Sequence, residues 1–524
     1  MVNSPGTTSQ AERLATVVGN DHAQHQPHPR LAFALLALIT LVAAALRFAY
    51  LGSKDIWYDE AFSISVAQLP WPDFRKVITN REANSALHYL TLKLWIVAFG
   101  TGEYAARSLS ALAGIATVPA LYLLARRLFG YPVAIVSALL LAFNTYHIRY
   151  SQEARGYAMA VLLAVLCTLA FTELLRKPNR AQVVTYSILC VAAIYTHLFC
   201  ALVVLAHFAA PGMSSWRKLP LRKFAYSGAT IILFSVPMLL FVWKKDVGQI
   251  DWIAPPTLAS LVELAVKFAG NGAIWLTVAS VAAVAYGVAL TIKRRFTPEV
   301  SNTQPRALVI TWLFLPLLLA LTISFWKPIF LPRYLIVALP AFILFAAIGI
   351  VGLASRAPLR RILLFALTGF IVLGSAHSTW TWYQNSFDPP PQRWRKLARD
   401  LTAENAAQVI FHHPYMRLPF DYYREQLQLP PARIVFPSIE GPHLLVAPKK
   451  VIDLNDRAIH DLTRQLAACC DTVLLVRGST DSTSRELQRR LDENFSLHSE
   501  HSYAIGLDLF RYSRRASSKE RAQR

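Results

Sequence analysis

The chain has 524 residues, 54% hydrophobic and only 16% charged, which excludes an ordinary soluble globular protein and describes one that lives in a bilayer. Its net charge of +22 falls in short clusters between apolar runs and at the C-terminus, not along one face, so it reports membrane topology and no nucleic-acid partner. Three of the five cysteines (Cys167, Cys190, Cys200) lie inside apolar runs, and Cys469 and Cys470 are neighbours poorly placed for a mutual bridge, so neither a disulfide framework nor a zinc spacing is expected.

Residues 1–30 are polar, with the stretch DHAQHQPHPR, and read as a disordered cytoplasmic tail. The apolar run 31–51 is long enough to span a bilayer and lacks a small-residue cleavage site, so it is expected to remain as the first transmembrane helix. A long first outer loop, 52–103, follows and opens with IWYDEAFSISV. Within it, LHYLTLKLWIVAF (87–99) is below spanning length and reads as an interfacial or re-entrant helix.

Further spans are predicted at 104–124, 132–145, 154–175, 224–243, 264–292, 307–325, 334–354 and 362–380. The run 182–210 is too long for one ordinary span and is interrupted by YTH at 195–197. Its flanks, RKPNR and WRKLPLRK, are both basic, so the positive-inside rule places both in the cytoplasm and demands two helices, with His197 outside. The same rule puts ARRLFG, IKRRF and SRAPLRR inside. The predicted fold class is therefore a polytopic α-helical membrane protein of about eleven transmembrane helices with its N-terminus in the cytoplasm. Residues 31–380 form the membrane domain, 381–512 an extracytoplasmic α/β domain with alternating strand-like and helical blocks, and 513–524 a basic tail.

The predicted outer loops hold the chemistry. Asp59 and Glu60 either cap the helix AFSISVAQL with favourable charge or supply a general base. Adjacent helical residues point about 100° apart, so one of them at most is the base. In HIRYSQEARGY, Arg149, Glu153 and Tyr157 are spaced as an i,i+4 ladder, a structural arrangement that competes with a substrate pathway at the bundle mouth. In FWKPIFLPRYL, Lys327 and Arg333 flank a proline turn. Arg333 at a helix start adds a fork of donors to free backbone N–H groups, a receptor for phosphate. His197 reads first as a buried, satisfied histidine, and second as a divalent-metal ligand with Glu82.

The order of these motifs, WYDEAFS, ALHYLTLKLWIVAFGTGEYAARSLSAL, RYSQEARGYAM, YTHLF and LPRYLIVALPAF, resembles the membrane glycosyltransferases of the GT-C fold. The similarity is to the family 39-like, Rgt-like branch related to protein O-mannosyltransferases and lipid A aminoarabinose transferases. It covers roughly 31–380 and, more faintly, the outer domain through WRKLARDL and PFDYYRE. The resemblance implies a polyprenyl-phosphate-linked sugar donor and an acceptor on the outer face of a bacterial plasma membrane: a glycolipid, a polysaccharide or a protein. Transfer would proceed with inversion. It makes Asp59 the catalytic carboxylate, with Glu60 extending the pair, and assigns the donor phosphate to Lys327 and Arg333 with Arg149 and Arg155 as second candidates. Glu82, Glu153, Tyr157 and Tyr334 complete the implied substrate pocket, and a divalent ion at Glu82 and His197 is a candidate cofactor. No nucleotide cofactor is expected, because the donor is already a membrane lipid and no Rossmann fingerprint is present. Where many relatives read HPPLYY this chain reads NSALHYL, a departure in loop geometry. Two other classes compete: a transporter or flippase of lipid-linked sugars, which would place ionisable groups mid-membrane and show two related halves, and a non-catalytic assembly or receptor protein built around its outer domain.

Overall fold

The structure is a computed structural model that describes residues 28–210, 220–244, 253–293, 305–355, 359–384, 393–404, 407–448, 452, 454–478, 480–504 and 506–515. The expected polar tail, the loops KKDVGQIDW and IKRRF and the end of the basic tail lie largely outside these residues. Among the described residues, eight helices are long and apolar enough to cross a membrane, or nine if one bent pair counts as a single span. The helical part of the chain runs α1 (Pro29–Phe48), α2 (Tyr58–Gln68), α3 (Trp71–Asn80), α4 (Ala86–Phe99), α5 (Glu103–Phe129), α6 (Tyr131–Phe143) and α7 (Thr145–Ser151). It continues with α8 (Tyr157–Arg176), α9 (Arg180–Thr196), α10 (Cys200–Ala209), α11 (Leu221–Lys244), α12 (Leu258–Phe268), α13 (Ile274–Ile292), α14 (Pro305–Ile323), α15 (Leu339–Ala354) and α16 (Arg360–Tyr383).

The run 182–210 does break at His197, into α9 and α10, both shorter than a spanning helix needs to be for the length criterion. The count of eleven rests on including this short pair and is not reached by length and composition alone. Two expected spans are not single helices. Residues 132–145 end in the bent pair α6 and α7, which meet at 59°, where the Asn144 carboxamide oxygen caps α7 by accepting the His147 N–H at 2.9 Å. Residues 264–292 divide into α12 and α13 at Gly270 and Asn271, both with positive φ (107° and 55°). The backbone carbonyls freed there are not left bare. Asn144 donates to the Phe268 carbonyl at 2.9 Å, and the Ser378 hydroxyl reaches the Gly270 carbonyl at 2.8 Å. Non-helical backbone at this depth persists only with such internal partners.

The segment 335–354 is the most deeply buried of the eight candidate spans among the described residues. Gly114, inside α5, allows α7 to approach: a Cβ there would sit 2.1 Å from the Ser151 hydroxyl. The first loop, α2 to α4, and the C-terminal domain lie at the same end of the bundle. That domain comprises α17 (Trp394–Ala403), β1 (Gln408–His412), α18 (Arg417–Gln426), β2 (Arg433–Phe436), α19 (Asp456–Cys469), β3 (Thr472–Arg477), α20 (Ser482–Asn494), β4 (Phe495–Ala504) and β5 (Leu507–Arg514). The five strands form one sheet in the order β2-β1-β3-β5-β4. β1 is parallel to β2 and β3, while β5 is antiparallel to β3 and β4.

Strand periodicity sorts the sheet's two faces. Ile410, Val473, Leu475 and Phe510 pack with Ile459, Leu466, Leu487 and Leu491 from α19 and α20. Val409, Phe411, Leu474 and Val476 belong instead to a core shared with Ile56, Ile64, Leu69 and Phe74 of the first loop. Polar contacts pin the same junction: the Arg395 backbone N–H donates to Asp55 at 2.9 Å, its guanidinium pairs with Glu103, and the Ile56 N–H donates to the Tyr423 hydroxyl at 2.6 Å. Tyr423→Phe leaves that buried N–H without its acceptor and is expected to cost about 1–3 kcal/mol, read as a lowered unfolding midpoint in detergent. Cys469 and Cys470 are joined as a disulfide, contrary to the sequence expectation. Helix α19 ends at Cys469 and the chain turns extended at Cys470 (φ −132°, ψ 138°), so the bridged pair straddles the helix end.

Candidate active site

Helix α2 begins at Tyr58, so Asp59 and Glu60 fall in its first turn, where negative charge is favoured by the exposed N–H groups. Their angular separation sends them to different places. Glu60 turns inward and is fully buried. Its carboxylate meets Arg107 of α5 at 2.7 and 2.8 Å and accepts the Ala154 N–H at 2.8 Å. Arg107 spends its remaining donors on the carbonyls of Leu51 (3.0 Å), Lys54 (2.8 Å) and Asp55 (3.1 Å), so every N–H of the guanidinium is used. The sequence expectation of Glu60 as a second catalytic acid does not match this placement. Its lone pairs are occupied by structure, and it ties α2 to the loop between α7 and α8.

Asp59 turns the other way, its side chain 21% exposed. One carboxylate oxygen lies 3.5 Å from an Arg155 terminal nitrogen and 4.0 Å from one of Arg333. Arg155 directly follows Ala154, the residue Glu60 holds, and its carbonyl accepts from the Ser110 hydroxyl at 3.1 Å. The two adjacent acids thus divide into a partly exposed group paired with two arginines and a buried anchor for the loop that carries Arg155.

Aromatic rings surround these charged groups. Tyr157, the first residue of α8, lies 5.5 Å from the His197 ring, which lies 5.7 Å from that of Tyr334. Phe199 is 5.2 Å from Tyr334, and Tyr150 is 4.8 Å from Tyr157. The Arg155 and Arg333 guanidinium carbons sit 5.7 and 5.6 Å from the Tyr157 and Tyr334 rings, respectively. On the loop side, Tyr89 donates to Glu82 at 3.1 Å. Burial, with the charges of Asp59 and Glu82 adding to it, pushes the Tyr58 phenol above its ordinary range, so it stays a protonated donor. Burial drives His88 down to about 3, leaving it neutral.

Other expected residues are elsewhere. Arg149 pairs with Glu153 at 3.3 Å and faces the Trp382 ring at 5.3 Å, away from Asp59. Glu153 is buried, and desolvation raises its carboxyl above the usual range against the pull of Arg149. Lys327, just past α14, forms no ion pair among the described residues. The metal expectation finds no ligand set: Glu82 accepts from Tyr89, the His197 Nδ1 accepts the Phe199 N–H at 3.3 Å, and no three His, Cys, Asp or Glu residues among those described could hold an ion. No step below runs through a metal ion.

Arg107 and Tyr58 are the residues the sequence does not single out. The signal for Arg107 is an arginine in the otherwise apolar start of a span, which requires a buried partner; Tyr58 carries no signal beyond adjacency to Asp59.

The many-spanning bundle with a helical first loop and a sheet domain over the same end has the GT-C fold, as superposition on solved structures shows. The structure of ArnT from Cupriavidus metallidurans in the apo state superposes with a TM-score of 0.57 at 14% identity, over 92% of this chain and 98% of that one. ArnT bound to undecaprenyl phosphate gives 0.55 at 15% identity with the same coverage. The apo oligosaccharyltransferase of Archaeoglobus fulgidus gives 0.52 at 12% identity, over 93% of this chain and 75% of that one. In sequence, residues 85–243 match the family model described as dolichyl-phosphate-mannose-protein mannosyltransferase. No curated protein sequence matches the chain.

Proposed function

We propose that the protein transfers a sugar from a polyprenyl-phosphate carrier to an acceptor hydroxyl at the outer face of a bacterial plasma membrane, with Asp59 as general base. The observation that carries this reading is the Asp59 carboxylate set between Arg155 and Arg333, both of which lie beside tyrosine rings. The likeness to ArnT, one of whose structures holds undecaprenyl phosphate, supports a lipid phosphate as the leaving group.

The chemistry balances as a single displacement. Asp59 takes the acceptor's hydroxyl proton, the freed oxygen forms a bond to the anomeric carbon, and the bond from that carbon to the phosphate oxygen breaks. The electron pair leaves on the polyprenyl phosphate, where Arg155 and Arg333 neutralise it. Attack opposite the departing phosphate inverts the anomeric centre. Without donor, Asp59 occupies the two arginines itself. A phosphate entering the pocket competes for the same forks, so the base is freed as the leaving group is seated. Tyr157 and Tyr334 offer flat apolar faces and hydroxyl donors to a sugar ring.

Arg155→Gln and Arg333→Gln are each expected to lower transfer on the order of 10²–10³-fold, the usual effect of removing one oxyanion-stabilising donor. Arg155→Lys should rescue little, because a point charge does not reproduce the fork. Transfer from a labelled polyprenyl-phosphate sugar in liposomes measures this. Full activity in both glutamine variants sinks the assignment of the phosphate.

A further inference from the structure

A second basic constellation, none of whose described members pairs with Asp59, lies at the same end of the bundle, with Arg149 also facing the Tyr150 ring at 5.6 Å. Lys54 follows α1 in the first loop, Arg149 stands on α7, and Trp382 lies in the last turn of α16. The Lys54 ammonium sits 3.0 Å from the Trp382 ring centroid and donates to the Trp382 carbonyl at 2.6 Å. Arg149 faces the same ring at 5.3 Å. The indole is fixed, because its N–H donates to Gln152 at 2.8 Å and Gln152 in turn donates to the Ala49 carbonyl at 2.7 Å.

The donor count leaves capacity for a ligand. Lys54 has three N–H groups and uses one on a carbonyl. Arg149 spends its Nε on Glu153, and its terminal nitrogens bond to no described residue. Both side chains are half-buried, hence within reach of solvent. The charge count is also unbalanced. Among the described residues Arg107 is consumed by Glu60, so Lys54 and Arg149 share the carboxylate of Glu153. Burial, followed by the charges of Arg149 and Arg107, lowers the Lys54 ammonium to about 7, the signature of positive charge crowded where water is scarce.

The place in the fold selects the ligand. α1 and α16 are spans that end here, and the rings of Tyr50 and Tyr383, 5.2 Å apart, flank the cluster, Tyr50 being exposed. Amphipathic aromatics beside basic side chains at span ends mark the level of lipid headgroups. We propose that Lys54, Arg149 and Trp382 form a second phosphate-binding site, which takes the phosphate ester of an anionic lipid headgroup and is separate from the pocket at Asp59. The site does not depend on the transfer chemistry assigned to Asp59.

The test is lipid retention by the purified full-length protein in native mass spectrometry, with phosphatidic acid, phosphatidylcholine and inorganic phosphate as separate probes. Phosphatidic acid should be retained in preference to phosphatidylcholine. Lys54→Met and Arg149→Gln should each weaken its retention about tenfold, the loss of one charge-assisted contact. Lys54→Arg, which keeps the charge, should retain it and serves as the control for folding. The loss caused by the Lys54→Met/Arg149→Gln double variant should be equally large in an Arg155→Gln/Arg333→Gln background, which removes the other phosphate receptor, so that failure of the catalytic reading leaves this one testable. Equal retention by wild type and the Lys54→Met/Arg149→Gln double variant overturns the proposal. Retention of phosphatidylcholine as strong as that of phosphatidic acid, or displacement of lipid by equimolar inorganic phosphate, overturns the lipid headgroup as ligand.

Discussion

Asp59→Asn is expected to lower the rate of sugar transfer on the order of 10²–10⁴-fold, the contribution typical of a positioned general base. The direction of the binding effect is the more specific part. In the wild type the carboxylate is a competitor for Arg155 and Arg333, at 3.5 and 4.0 Å. A neutral carboxamide relinquishes that claim, so donor phosphate should bind as tightly as before or more tightly while kcat collapses. The measurement is steady-state transfer at varied donor concentration, with folding monitored by thermal unfolding. A raised KM with unchanged kcat would assign Asp59 to substrate binding and leave the base to another group.

The second large effect belongs to its neighbour. Glu60→Gln leaves the Arg107 guanidinium charged and buried without a counterion, which is expected to destabilise the protein by about 3–5 kcal/mol. Arg107→Met should do the same from the other side. Glu60→Leu/Arg107→Met removes both charges together and should recover part of the stability, because neither charge is then stranded although the carbonyls of Leu51, Lys54 and Asp55 lose their donor. It should not recover activity. The Ala154 N–H loses its 2.8 Å acceptor in that variant, and the loop that presents Arg155 to Asp59 loses its tie to α2. Unfolding midpoints and transfer rates of the two single variants and the double variant separate these roles. If stability and activity return together, Glu60 has no positioning role.

What the sequence discloses follows from the range of each interaction. Bilayer thickness imposes long apolar runs, so spans such as α1, α5 and α8 are legible at once. Basic flanks similarly announce the break at His197, because an even number of crossings is a count and not a geometry. The division at Gly270 and Asn271 is hidden, since it depends on Asn144 and Ser378, more than a hundred positions away in sequence, catching the carbonyls freed there. The site shows the same split. Asp59 is visible as an acid just past a span, and Arg333 as a cation at a helix start. That Arg155 rather than Lys327 or Arg149 meets Asp59 depends on the pairing of Glu60 with Arg107 and with the Ala154 N–H. These links join α2, α5 and the loop before α8, and no local pattern encodes them.

The central claim is that a bond is made and broken at Asp59, rather than a lipid-linked sugar carried intact across the bilayer. It is tested most directly by reconstituting the wild-type protein in liposomes with a panel of polyprenyl-phosphate sugars labelled in the sugar, together with an acceptor lipid extract. Label is expected to leave the donor for the acceptor with stoichiometric release of polyprenyl phosphate, and Asp59→Asn is expected to abolish this. Label that crosses the bilayer still attached to its polyprenyl phosphate, with none released, would contradict it.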